Sequence, residues 1–257
     1  MTVHDYHVHS SYSDGDFLPR MVSAAEDADL DGVGIADHCP VSSRESVTRW
    51  RDRLGFSLDQ TYERRRRAIE DLRANADVRI YDAAEVDYNP ADEADIEAFL
   101  DGAEFDYVVG SVHELRGHNV HEPYFESLSE AERAAVVDEY FDTVLSLIEF
   151  GAFDILAHPD IIERNDALRG HATEADYEAV ASALADSATV PEINAGRIHS
   201  SYGEFHPNPS FLSVLADYDV EITIGSDAHG PDELRERIPD LRERVADADL
   251  TVTTLDV

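Results

Sequence analysis

Val3-His4-Asp5-Tyr6-His7-Val8-His9 is a short run, rich in apolar and aromatic residues, that ends in an H-x-H pair. A run of this length and composition reads as a strand buried on both faces. Six more runs of the same kind follow along the chain: Gly32 to Ala36, Val78 to Val86, Tyr107 to Val112, Asp154 to Ala157, Val190 to Ile193 and Glu221 to Gly225. Helical patterns lie between them. Leu18 to Leu30 alternates apolar and charged residues at helical spacing. Ser129 with Glu132 forms a capping box, and Gly151 marks the stop of that helix. Thr173 to Asp186 reads as another helix, and Pro231 suits the first turn of a last one through Val245. Strand alternating with helix implies a parallel sheet. Seven repetitions in 257 residues imply an α/β barrel, closed or nearly so, as one domain over residues 1–257.

Composition narrows the function. There are 56 acidic and 20 basic side chains, a formal charge of −36, and every basic side chain is arginine. A polyanion is a poor partner for such a surface, so no stable nucleic-acid partner is expected. Disorder would be the usual reading of so much charge, but 43% of the residues are hydrophobic and they fall in patterned segments. A folded protein with an acidic surface fits better. Lysine-free, carboxylate-rich composition resembles the cytosolic proteins of extreme halophiles. Cys39 stands alone, which excludes an internal disulfide framework. No apolar run reaches the ~18 residues of a membrane span. The start, MTVHDYHVHS, lacks the basic and apolar regions of a secretory signal. A cytoplasmic location without a membrane partner is therefore expected; no sequence feature specifies an oligomer.

The strand ends carry the chemistry. They give His7-Val8-His9, Asp37-His38, Glu85-Val86-Asp87, Ser111-Val112-His113, His158-Pro159-Asp160, Glu192-Ile193-Asn194 and Asp227-Ala228-His229. Six of these seven are polar pairs at i and i+2, and on a strand such pairs face the same way. They can converge on the carboxyl rim of a barrel, where sites are built. Imidazole and carboxylate together suit zinc, iron or manganese better than calcium. Phosphate-binding glycine loops and a G-x-S-x-G elbow are absent. Cys39, beside His38, reads as a packing residue rather than a nucleophile. Arg64 to Arg67 reads as a solvated helix face, with Glu63–Arg67 and Arg66–Glu70 as pairs.

The ordered motifs HVHSSYSDG, ADH, AEVD, GSVH, AHPD and GSDAH, from His7 to His229, resemble the PHP (polymerase and histidinol phosphatase) family. AEVDY, AHPDII, EINAGR and HPNPSFL point within it to the stand-alone histidinol-phosphatase branch. The resemblance implies a distorted (β/α)7 TIM-like barrel holding three divalent ions. It implies that His7, His9, Glu85 and Asp227 hold the first ion, that Glu85 bridges to a second held by His113 and His158, and that Asp14, His38 and His229 hold the third. Asp16 rivals Asp14, but the S-x-D-G spacing favours Asp14. Three divalent charges against Glu85, Asp14, Asp227 and a hydroxide leave about +2, which suits a phosphate monoester dianion. The implied activity is metal-assisted hydrolysis of L-histidinol phosphate by a phosphoric monoester hydrolase of histidine biosynthesis. Arg197 would grip phosphoryl oxygens, with a surface ion pair as its rival reading. Asp227 or His229 would pass a proton to the leaving alcohol. Nucleotide phosphoesterase and metal-dependent amidohydrolase activities are the alternatives.

Other residues have lesser expected roles. Asp87 and Asp160 orient histidines or cap helices, while Glu192 and Asn194 recognise an amine or imidazole. His199 and His206 read equally as mouth or surface residues. His4 falls outside the site by strand parity, and His118, His121 and His171 read as solvated. Pro40 to Gln60, with the only tryptophan, Trp50, is an insertion that overhangs the site as a lid or substrate-selecting loop.

Overall fold

The computed structural model describes residues 3–247 and 250–257. The strands in chain order are β1 His4–Val8, β2 Gly32–His38, β3 Arg79–Asp87, β4 Tyr107–Ser111, β5 Glu114–Leu115, β6 His118–Asn119, β7 Ile155–Leu156, β8 Val190–Asn194 and β9 Thr223–Gly225. Seven of them form one sheet in the order β1-β2-β3-β4-β7-β8-β9, and every neighbouring pair is parallel. The ring is drawn together just past the end of β9. His9 N–H donates to the Ala228 carbonyl at 2.9 Å, and Asp227 N–H donates to the His7 carbonyl at 2.7 Å. The fold is thus a distorted (β/α)7 TIM-like barrel, drawn shut at the rim where the polar strand ends lie. The extra pair, β5 with β6, is an antiparallel hairpin. Its two-residue strands are too short to leave a periodic signal in the sequence.

The helices are α1 Leu18–Asp27, α2 Glu45–Leu54, α3 Leu58–Arg73, α4 Glu93–Ala103, α5 Glu130–Phe150, α6 Glu174–Ala185, α7 Pro209–Asp217 and α8 Pro231–Asp247. Helix α1 turns Leu18, Met21, Val22 and Ala25 inward, the i, i+3, i+4, i+7 stripe of a helix lying on a sheet. Burying a side chain such as Leu18 or Met21 contributes about 1.5–3 kcal/mol. Helix α5 begins with the Ser129–Glu132 capping box and ends at Gly151, whose φ of 70° puts it in the left-handed region. Helix α6 has a second reciprocal cap, between Thr173 and Asp176. Among the described residues, no helix is long and apolar enough to cross a membrane.

Two local features shape the interior. Tyr6 packs with Tyr81 and Tyr107 at ring-centroid distances of 5.5 and 5.4 Å. Those two lie four residues before Glu85 and Ser111, on the same strand face. Yet His7, next to Tyr6, also faces Glu85. Adjacent residues of a regular strand would point apart. The pairing of β1 with β2 shifts register between Asp5 and Val8, and this irregularity turns His7 inward as well. His4 lies outside the site, as expected, but strand parity is not the reason. It sits lower in the barrel, where the Tyr81 hydroxyl hydrogen-bonds its Nδ1 at 2.9 Å.

The second feature is Gly225 on β9. A Cβ there would lie 2.2 Å from Glu192 Oε2 and 2.7 Å from His7 Cβ. Gly225→Ala is therefore expected to overpack the barrel and cost about 1–3 kcal/mol. For a chain of this size that lowers Tm by roughly 2–4 °C per kcal/mol, measurable by thermal denaturation in high salt.

The arginine run is a solvated face only at Arg64 and Arg67; Arg65 and Arg66 turn inward. Arg65 is completely buried and donates to Asp37 and Asp82, each at 2.8 Å. Arg66 donates to the other oxygen of Asp82 at 2.7 Å. Helix α3 lies against β3, so Arg65 runs under the sheet and Arg66 sits at its margin, half-buried. The insertion from Pro40 to Gln60 is built mainly of α2 and the start of α3.

Candidate metal centre

The carboxyl rim gathers the polar strand ends around Glu85, which is 1% exposed. Its Oε1 lies 3.2 Å from His158 Nε2 and 3.7 Å from His113 Nε2. Its Oε2 lies 2.6 Å from His38 Nδ1, 3.5 Å from His7 Nε2 and 3.8 Å from His9 Nε2. Five imidazoles from β1, β2 and the ends of β4 and β7 thus surround one carboxylate. Asp227 Oδ1 is 3.2 Å from His9 Nε2. On the outer side Asp14 lies 3.4 Å from His229, 3.8 Å from His9 and 3.9 Å from His38. The grouping therefore differs in detail from the expected one. His9 stands between the first and third sets, and His38 joins Glu85 and His113. Asp16 faces away, paired to Arg20 at 2.5 Å.

Several rings have one nitrogen already committed. His7 Nδ1 donates to Glu192 at 3.0 Å, His113 Nδ1 to Asp87, and His229 Nδ1 to the Asp227 carbonyl at 3.0 Å. Each such bond fixes the tautomer and leaves Nε2 with a lone pair facing the cluster. His38 Nδ1 and Glu85 Oε2 are buried and close, yet neither has a hydrogen bond of good geometry. His7 and His9 face each other through Nε2 at 3.2 Å. Lone pairs turned on one another in a buried space, from imidazoles and carboxylates, fit a borderline divalent cation.

The charges of the cluster lean on one another. Burial opposes ionisation of Glu85, but His38, His7 and His113 together hold its carboxyl well below the usual range. Burial lowers the His38 pKa, and Glu85 then outweighs it, raising the ring to about 10. His9, buried beside His229 and His38, is pushed down to about 4. Two of the residues are backbone exceptions: His158 has φ of 25° and Asp227 φ of 52°. Left-handed geometry at residues other than glycine costs about 1–3 kcal/mol and is held by surrounding structure, often at functional sites.

The rim opens into a cavity of about 410 Å³ lined by Asp14, His38, Glu85, His113, His158, Asp227 and His229. Trp50, Leu54 and Phe56 of the insertion line it too, with Phe56 stacked on His38 at 5.4 Å. Arg197 reaches the cavity from beyond β8. Arg164, Arg237 and His121 are among the residues that line it without having been expected there. Arg164 is buried between His206, Asn194 and Asp227, at 2.8, 3.1 and 3.4 Å. Arg237 donates to the Asp227 carbonyl at 2.8 Å. His121, exposed as expected, borders the cavity, where partial desolvation with Arg164 and His113 nearby lowers its pKa. Arg164 follows the AHPD segment by four residues, and that spacing was the one available signal. His121 lay in a polar loop that carried none.

Other expectations change. Glu192 and Asn194 are fully buried behind the site. Glu192 holds His7 and accepts from the His158 amide at 3.2 Å, and Asn194 braces Gly196 and Arg164. Neither faces the cavity. Asp160 neither caps a helix nor orients a rim histidine; it accepts from His206 Nδ1 at 2.6 Å. His206 is a buried support of Arg164, while His199 is a surface residue paired with Asp240 at 2.8 Å. Cys39 is buried and free.

Comparison with known proteins agrees with this architecture. A probable histidinol-phosphatase of Deinococcus radiodurans is 26% identical over 229 residues, covering 87% of this chain and 84% of the relative. One of Clostridium acetobutylicum is 31% identical over 140 residues, about half of each chain. A crystal structure of histidinol phosphate phosphatase from Lactococcus lactis, complexed with zinc, L-histidinol and phosphate, superposes with a TM-score of 0.74 at 19% identity, over 99% of this chain and 97% of that one. That likeness is one of fold. The PHP domain model matches residues 5–195, from β1 to just past β8. With most of the chain inside that match, the protein belongs to the PHP domain family.

Proposed function

We propose that the chain, acting as one unit over residues 1–257, is a metal-dependent phosphoric monoester hydrolase whose substrate is L-histidinol phosphate. The observation that carries this reading is the buried carboxylate of Glu85 among five imidazoles, with Asp14 and Asp227 flanking. His7, His9, Glu85 and Asp227 would hold one divalent ion, Glu85, His113 and His158 a second, and Asp14, His38 and His229 a third. Zinc is the first candidate, with manganese and iron as alternatives for the same donors. When bound, such ions polarise phosphoryl oxygens and lower the pKa of water.

The remaining work belongs to side chains. Arg197 and Arg164 offer guanidinium donors to the phosphoryl oxygens. His9, His7, His229 and Arg164 outweigh burial and hold the Asp227 carboxyl well below the usual range, so it has no proton of its own to give. His229 is engaged at both nitrogens, by the Asp227 carbonyl and by Asp14. His229 would serve as a ligand of the third ion or pass the proton to the leaving alcohol.

A second cavity, of about 130 Å³, adjoins the first through Trp50, Asp87, His113 and Asn119. It presents four carboxylates, Asp87, Asp92, Glu114 and Glu122, against the single guanidinium of Arg44. Such a space favours a cationic leaving group with an aromatic ring, as in histidinol. The lone buried thiol and the acidic surface support a reducing, salt-rich cytoplasm as the place of work.

Phosphate release from histidinol phosphate, nucleoside monophosphates and an aryl phosphate, measured in molar salt, tests the assignment. Histidinol phosphate is expected to give a kcat/KM at least about tenfold above the others, which equals about 1.4 kcal/mol in the transition state. Equal rates would remove the substrate assignment. Preference for a nucleotide would favour nucleotide phosphoesterase activity, and amide hydrolysis without phosphate release would favour an amidohydrolase.

A further inference from the structure

We propose that Arg65, acting through Asp37, is a positioning residue for the outermost metal position, the one built from Asp14, His38 and His229. The inference rests on the reading of those residues as ion ligands. Asp14 is the least supported of them. Its carboxylate is 41% exposed, and its near neighbours are the rings of His9, His38 and His229. Its place is therefore set by the backbone of the loop that carries it.

That loop is tied at both ends. Ser13 and Gly15 N–H groups donate to the Ser10 carbonyl at 3.0 and 2.9 Å, and Asp16 N–H donates to the His229 carbonyl at 2.9 Å. The turn is anchored to β2 through Asp37 alone of the buried carboxylates nearby. Asp37 Oδ1 accepts from Ser10 N–H at 2.6 Å and from the Ser13 hydroxyl at 2.9 Å. Its Oδ2 accepts from the Ser10 hydroxyl at 2.8 Å and from Arg65 at 2.8 Å. Four donors use the acceptor capacity of one carboxylate. Asp37 thus has no lone pair left for an ion, although it adjoins His38.

Arg65 fixes the orientation of that carboxylate. It is 0% exposed, and it also donates to Asp82 at 2.8 Å and to the Ala83 carbonyl on β3. A buried ion pair is a weak source of net stability, because desolvation offsets most of the attraction. Its clearest effect is to select one geometry. Here that geometry links β3, β2 and the Ser10–Gly15 turn, and so sets the separation of Asp14 from His38.

Zinc titrations with a competing chelator, counting ions per chain and their dissociation constants, test this on the full-length protein in molar salt. Wild type is expected to bind three ions. Arg65→Met should weaken one of the three by about 10–100-fold, the range found when a partner of a metal ligand is removed, and leave two near wild type. Arg65→Lys should lie between, since an ammonium lacks the planar fork that spans Asp37 and Asp82. Ser13→Ala removes one tie without unpairing a buried charge and should weaken the same ion severalfold. Three ions at wild-type affinity in a natively folded Arg65→Met protein would overturn the proposal, as would equal weakening of all three. Should Arg65→Met not fold, unchanged affinities in Ser13→Ala would overturn it. A wild-type protein with fewer than three ions would instead count against the three-metal reading itself.

Discussion

Glu85→Gln is expected to lower kcat/KM by roughly 10³-fold or more, about 4 kcal/mol of transition-state stabilisation, and to remove two ions per chain. The side chain keeps its size but loses its charge and one ligating oxygen. Oε1 serves the His113 and His158 side and Oε2 the His7, His9 and His38 side, so a single change opens both. His38, raised chiefly by Glu85, and His7 and His113, raised first by Glu192 and Asp87 and then by Glu85, lose a common partner. Arg197→Met should cost less, about 10–100-fold, because it removes a phosphoryl contact at an exposed edge and leaves the ions in place. Retention of full metal content by Glu85→Gln, measured by elemental analysis, would contradict the bridging role.

The second large effect concerns salt. With a charge of −36, self-repulsion is the dominant electrostatic term on the surface. Ion pairs such as Arg49–Glu45 and Arg116–Glu139 offset little of it, since exposed pairs contribute about 0–1 kcal/mol each. Screening reaches about 10 Å at 0.1 M salt and about 3 Å at 1 M, so molar salt removes repulsion between neighbouring carboxylates. Tm is expected to rise by about 10 °C or more between 0.1 M and 2 M KCl, with partial unfolding in dilute buffer. A Tm that does not move across that range would remove the halophilic reading.

The barrel was legible because its strands are buried on both faces and end in polar pairs at i and i+2. Glu85 and Asp87 both line the rim as that spacing requires, and His113, Asp227 and His229 reach it from just past their strands. What parity could not provide was the register shift in β1. It turns Tyr6 and His7 into the same interior, and a period-two pattern has no means of encoding an irregularity. The arginine run failed for a related reason. Four successive arginines look solvated, yet Arg65 lands on the sheet-facing side of α3, where Asp37 and Asp82 wait for it. Glu192 and Asn194 were placed at the substrate because they end a strand. The narrow barrel instead folds them behind His7 and Arg164. Arg164 and Arg237 come from segments after the strands, whose reach depends on how the helices pack back on the barrel. Local sequence does not determine that.

Anomalous diffraction from crystals grown with zinc, recorded at the metal edge, addresses the ion cluster most directly. Three peaks are expected inside the rim, each about 2.0–2.2 Å from its imidazole nitrogens and carboxylate oxygens. Glu85 should lie between two of them, and Asp14 with His229 should lie beside the third. A rim without peaks, or with a single ion that does not touch Glu85, would contradict the account.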